Sequence, residues 1–110
     1  MFFSHLCVHS FYAFFCADKP ENVNLTTSSI SVCKGNVVTF TCTADANPAV
    51  HTYRLYENGA MIENLGGSGI TKRALNTSGQ FKYICDASNS VGTGTSSNTV
   101  LTVEGEFAYR

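Results

Sequence analysis

Val38-Thr39-Phe40-Thr41-Cys42-Thr43-Ala44 alternates an apolar or small residue with a threonine. A period of two belongs to a strand with one face buried and one wet; a helix repeats every three or four residues. The pattern returns in Phe81-Lys82-Tyr83-Ile84-Cys85-Asp86-Ala87, which sets Phe81, Tyr83, Cys85 and Ala87 on one face. Tyr53-Arg54-Leu55-Tyr56 continues it, and Glu57-Asn58-Gly59 closes it with a hairpin-type turn. Thr99 to Val103 supplies a last strand, with Leu101 and Val103 as its inward pair. Between these runs lie turn clusters: Lys34-Gly35-Asn36, Asn47-Pro48, Gly66-Gly67-Ser68-Gly69, Asn76-Thr77-Ser78-Gly79 and Gly92-Thr93-Gly94. No ten-residue stretch carries a helical stripe. Many short antiparallel strands with regular turns read as an all-β sandwich or barrel.

The chain has 110 residues, seven Lys and Arg against eight Asp and Glu, and a formal net charge of −1. That is one domain at most, with no basic stripe for nucleic acid and no room for a large active-site cleft. A core this small leans on covalent staples. Of the five cysteines, Cys42 and Cys85 sit mid-strand on inward faces, a placement that suits a bridge between packed sheets. It suits zinc poorly, because zinc ligands come as close pairs and no such pair exists. Cys33 falls before Lys34-Gly35, and the neighbouring last strand has no cysteine, so Cys33 is expected to lack a partner within the domain.

The two ends differ from the middle. In residues 1–17, thirteen positions are apolar, none is charged, and five of the eight Phe are found there. This leader reads as a secretory signal peptide, although it lacks Lys or Arg near Met1 and His9-Ser10 splits the apolar run. At ~1.5 Å per residue it is too short for a membrane core about 30 Å thick. It also reads as translated intron: Phe14-Phe15-Cys16-Ala17-Asp18 can be encoded by a pyrimidine tract followed by CAG. Gly105-Glu106-Phe107 can be encoded by GGT GAG TTY, which contains an intron start in the same phase. On either reading residues 1–17 lie outside the fold, as few-contact chain or an isolated apolar helix. The domain spans 18–105, and 106–110 is a tail.

Several pieces of the middle resemble the immunoglobulin family over roughly Lys19 to Glu104. They are Gly35-Asn36-Val37-Val38-Thr39-Phe40-Thr41-Cys42, Ala46-Asn47-Pro48, Tyr53-Arg54-Leu55-Tyr56-Glu57-Asn58-Gly59, Tyr83-Ile84-Cys85 and Ala87-Ser88-Asn89-Ser90-Val91-Gly92. They look like strand B, the B–C loop, strand C, strand F and the F–G turn of intermediate-set or C2-like domains. The resemblance implies a two-sheet sandwich with Cys42 and Cys85 as its inter-sheet disulfide and Tyr83 as the tyrosine-corner residue. Two departures stand out: Leu55 occupies the place of the family's strand-C Trp, and Gly79 and Phe81 replace the Asp-x-Gly before the corner Tyr. Phe40, Tyr53 and Phe81 are expected to fill the space the Trp leaves. The stretch between strands C and F is too short for the extra strands of variable-type domains.

No catalytic residue, metal site or cofactor is expected. Cys7-x-His9 has no second ligand pair, His51 is a solvated loop residue, and Gly66 to Gly69 has no following helix to cradle a phosphate. Asn76-Thr77-Ser78 and Asn24-Leu25-Thr26 match the N-glycosylation sequon, and Asn76 lies in a turn. Strands C and F are neighbours in this fold, so Arg54, Tyr56, Lys82 and Ile84 share an outward face that suits a protein contact. The resemblance implies an extracellular or cell-surface recognition module, in cell adhesion or a receptor ectodomain. Its partner would be a protein, homophilic or heterophilic, beside neighbouring modules of the same kind, with no nucleic acid and no small-molecule substrate. The alternative is a spacer module of an intracellular filament protein, with Cys42 and Cys85 reduced and the sequons unused.

Overall fold

The computed structural model describes residues 5–9 and 14–105, with side chains from residue 17 onward. Among the described residues every regular element is a strand. In chain order these are β1 (His5–His9), β2 (Phe14–Thr27), β3 (Ser31–Cys33), β4 (Val37–Asn47), β5 (Thr52–Glu57), β6 (Ala60–Gly66), β7 (Ile70–Ala74), β8 (Gly79–Ser88), β9 (Thr93–Thr95) and β10 (Thr99–Glu104).

Two sheets form, as alternating strands with one apolar face must pack that face against another layer. The smaller runs β1-β2-β4-β7. The larger runs β3-β10-β8-β5-β6, with β9 folded onto β8. All pairings are antiparallel except β3 with β10, which is parallel. The chain therefore makes an all-β, immunoglobulin-like two-sheet sandwich. Its β5–β6 turn is the tight hairpin expected at Asn58-Gly59, with φ of 49° and 90°, the left-handed pair that a two-residue loop requires.

The periodicity reads directly onto the core. Leu25, Val38, Phe40 and Cys42 point inward from the smaller sheet; Leu55, Tyr83, Cys85, Leu101 and Val103 meet them from the larger. Cys42 and Cys85 are disulfide-bonded, with Cα atoms 6.3 Å apart. Leu55 is fully buried in the place a Trp would take, and the Phe40 and Tyr83 rings lie 4.8 Å apart at a tilt of 56°. Phe81 and Tyr53 pack against this cluster from its margin. Cys33 is exposed and free.

Three expectations are revised. First, the apolar leader forms no isolated helix over its described part. β1 pairs with the start of β2 in a ribbon, His5 opposite Asp18 and His9 opposite Phe14, so residue 18 falls inside a strand rather than between elements. Residues 1–4, 10–13 and the tail 106–110 lie outside the described residues, as do the side chains of Cys7, His9 and Cys16. Second, Tyr83 does not turn its hydroxyl to backbone as a tyrosine corner does. It donates to Glu57 Oε2 at 2.6 Å across the sheet interior. With Gly79 and Phe81 in place of Asp and Gly, the turn before β8 differs from the one that positions a corner, and Glu57 at the end of β5 offers a charged acceptor instead. Third, Gly69 is buried rather than part of a loose loop. Its carbonyl accepts from the Cys42 amide at 2.7 Å, and any Cβ there would collide with the Cys42 carbonyl.

The C-to-F stretch folds as β6 and β7, one strand on each sheet. Glu63 of β6 joins them by accepting from Thr71 Oγ1 at 2.8 Å and Arg73 Nη1 at 2.7 Å. One carboxylate thus stitches the two sheets along the side where β6 and β7 are their edge strands.

Candidate interaction face

The outer face of the larger sheet is built from the residues that alternate with its core. Since Leu55 and Cys85 point inward, Arg54, Tyr56, Lys82, Ile84 and Asp86 point outward, and the register sets Arg54 opposite Asp86 and Tyr56 opposite Ile84. Val100 of β10 lies opposite Lys82, and Met61 of β6 opposite Tyr56. All four expected contact residues therefore share one face. They do not play one role.

Arg54 and Tyr56 converge on Asp86. Arg54 Nε donates to Asp86 Oδ1 at 3.0 Å and the Tyr56 hydroxyl donates to Asp86 Oδ2 at 2.8 Å. Arg54 also reaches Ser88 Oγ at 3.3 Å, and that hydroxyl pairs with Thr93 Oγ1 at 2.8 Å, which carries the chain of bonds onto β9. The burial of Asp86, at 7% exposure, follows from this cover. The hydrogen bond to Asp86, reinforced by its charge, raises the Arg54 pKa above its ordinary value. The hydrogen bond to Asp86, then burial, raises the Tyr56 phenol above its own. Arg54, Tyr56 and Asp86 thus form a neutralised, fixed floor, and Asp86 is the member that sequence reasoning missed.

Beside that floor the surface is apolar with one cation. Met61 is 53% exposed and Val100 46%, Ile84 is half-buried, and Lys82 is exposed with no ion-pair partner among the described residues. Lys82 and Ile84 line a shallow pocket of about 350 Å³ with Asn58, Gly59 and Asn98. Met61 and Val100 were not singled out from sequence, although the inward Leu101 implied that Val100 faces outward. The two sequons lie elsewhere. Asn24 is exposed on β2, on the opposite sheet, and Asn76 is exposed in the turn between β7 and β8. His51 is exposed, its Nδ1 2.8 Å from Thr52 Oγ1.

At one end of the sandwich a buried amide ties three segments together. Asn89 Nδ2 donates to the Asp18 carbonyl at 2.7 Å and the Pro48 carbonyl at 2.8 Å. Its Oδ1 accepts from the amides of Val91 and Gly92. The loop after β4, the turn after β8 and the early part of β2 are held by that one side chain.

Comparison with known proteins gives the same architecture. The chain is 36% identical over 81 residues to Kin of IRRE-like protein 3 of Homo sapiens, covering 74% of this chain and 10% of that protein. It thus spans about a tenth of the length of that relative. Among solved structures it is similar to the tandem Ig repeats of Dlar, with TM-score 0.59 and 25% identity over 74% of this chain and 49% of that one. The ectodomain of mouse nectin-like molecule 4 superposes with TM-score 0.63 at 20% identity, over 89% of this chain and 35% of that one, a likeness of fold. The family model described as immunoglobulin domain matches residues 20–103. With its two sheets pinned by Cys42 and Cys85, this chain belongs to the immunoglobulin domain family.

Proposed function

We propose that residues 18–105 form an extracellular protein–protein recognition module, of a cell-adhesion or receptor ectodomain, that binds through the outer face of β6, β5, β8 and β10. The observation that carries this reading is the apolar surface of Met61, Ile84 and Val100 around Lys82, beside a floor fixed by Arg54, Asp86 and Tyr56. Interface cores favour apolar and aromatic anchors on a rigid support, with charge kept sparse. The bonded Cys42 and Cys85 support an oxidising compartment over the interior of a muscle-type filament. The tandem Ig repeats of Dlar, to which this chain is similar at 25% identity, support neighbours of the same kind in the parent chain. No step of this reading asks for a cofactor or catalytic set; the work is done by surface complementarity.

The test uses the domain fused to a dimeric antibody fragment, read on live cells by flow cytometry and against itself by bead aggregation. Ile84→Asp with Val100→Asp is expected to lower whichever signal is seen at least about tenfold, which is ~1.4 kcal/mol. Val100→Asp alone should leave the melting temperature within a few degrees, because substitutions at exposed sites are usually nearly neutral; the half-buried Ile84 costs more, so a cooperative melt checks that the double variant is folded. Lys82→Glu should weaken binding mainly by slowing association. Equal binding by the double variant would move the site to the loop around Asn47 or the turn around Gly92. Tyr56 is a poor probe, since its hydroxyl also holds Asp86.

A further inference from the structure

A second pocket lies away from the interaction face, at the end of the sandwich where β5 and β7 finish and β8 begins. Its volume is about 290 Å³, and it is lined by Glu57, Arg73, Leu75, Asn76, Phe81 and Tyr83 among others. Its chemistry is mixed in a particular way. Glu57 Oε2 takes the Tyr83 hydroxyl, and its Oε1 accepts no hydrogen bond among the described residues. Arg73 gives Nη1 to Glu63 and keeps its other N–H groups. Phe81 supplies a half-buried ring. A carboxylate acceptor, guanidinium donors and an aromatic face are what one sugar ring asks for. Its hydroxyls and acetamide need both kinds of partner, while its C–H face packs on an aromatic.

The residue on the rim is Asn76, the first residue of the Asn76-Thr77-Ser78 sequon, and it is exposed. We propose that Asn76 carries an N-linked glycan whose first N-acetylglucosamine seats in this pocket, so that the sugar caps the end of the sandwich. The attachment uses a lipid-pyrophosphate-linked oligosaccharide, the donor class of the secretory pathway. The Asn76 amide nitrogen loses a proton and bonds the anomeric carbon, and the lipid pyrophosphate leaves. The inference rests on the extracellular reading, because only a secreted chain meets that donor. Neither attachment point is on the strands that carry Lys82, Ile84 and Val100: Asn24 is on β2 of the opposite sheet and Asn76 is in the turn between β7 and β8.

The test is made on the full chain secreted from a mammalian host that adds high-mannose glycans. Glycopeptide mass spectrometry reads occupancy at Asn24 and Asn76 separately. Melting is then compared for the intact glycoprotein, for protein trimmed by an endoglycosidase that leaves one sugar on the asparagine, and for Ser78→Ala, which keeps Asn76 but cannot be glycosylated there. Occupied Asn76, with the trimmed form melting like the intact form and both a few degrees above Ser78→Ala, is the expected result; such shifts correspond to a fraction of the ~4–8 °C expected per kcal/mol for a domain this size. A trimmed form no more stable than Ser78→Ala would overturn the seating. An occupied Asn24 beside a bare Asn76 would overturn the inference and leave the extracellular reading standing.

Discussion

Asp86 accepts from Arg54 with one oxygen and from Tyr56 with the other, and it does so almost out of contact with water. Bonds to a charged acceptor of this kind contribute about 1.5–3 kcal/mol each, and their loss also strands the donors. Asp86→Ala is therefore expected to destabilise the domain by about 2 kcal/mol in urea unfolding, with Arg54→Met at least as costly because it leaves the buried carboxylate without its cation, whereas the guanidinium is partly solvated. Tyr83 makes a different prediction. Burial, then its hydrogen bond to Glu57, raises its phenol well above the ordinary value of 10. The folded state thus holds that proton more tightly than the unfolded chain. This stability is fully present below about pH 10 and is lost as pH rises beyond it. Urea midpoints measured from pH 8 to 11.5 should fall steeply above pH 10, and Tyr83→Phe should flatten the fall. Asp86 was half legible: alternation places it outward with Lys82 and Ile84. That two donors from β5 would cover it depends on cross-strand register, which one strand's sequence does not contain.

At the scale of elements, the strands easiest to foresee were those whose alternation is strict and whose inward residues are large, namely β4, β5, β8 and β10. β6 and β7 were harder. β7 reads Ile70-Thr71-Lys72-Arg73-Ala74, an outer strand with little to bury, so its pairing with β4 is fixed by tertiary context. β9 has three residues and is placed by packing. Gly94 within it lies so close to β2 that a Cβ would strike the Pro20 carbonyl and come within 3.0 Å of Val23 Cγ2. Backbone is not a flexible neighbour, so Gly94→Ala must push β9 off β2. Overpacking of this kind costs about 1–3 kcal/mol, and calorimetry should show a matching fall in melting temperature. If Gly94→Ala melts with the parent protein, β9 does not press on Pro20 and Val23 of β2. The apolar leader shows the reverse: its composition read as a signal peptide or translated intron and left its backbone open, while its described part pairs as a ribbon onto β2. Composition reports solubility in lipid or core and is silent about pairing.

At the scale of the whole molecule, the two sheets are joined covalently at one point among the described residues, across a separation of 43 residues. Closing a loop of that length stabilises by about 4 kcal/mol in the loop-entropy model, against roughly 5–15 kcal/mol for a whole domain. Cys42→Ala with Cys85→Ala should therefore lower the urea midpoint by a large fraction, and a shift under 1 kcal/mol would mean that the core of Phe40, Leu55 and Tyr83 suffices without the bridge. This feature was the most legible of all, because mid-strand cysteines on inward faces have little else to do. The proposed interaction face was legible as a shared outer surface and illegible as an arrangement: Arg54 and Tyr56 are tied to Asp86, while Lys82 and Ile84 stand beside them.

The amide of Asn89 also bears on how such a scaffold can be diversified. Antibody-style libraries vary the loops at one end of a sandwich and trust the sheets to stay put. Here the loop after β4 and the turn after β8 share one buried side chain with β2. Randomising either loop alone alters the seat of Asn89 and so disturbs the other loop and the entering strand together. New specificities should come more cheaply from the strands, at Met61, Lys82, Ile84 and Val100, whose side chains leave the framework without holding any of it.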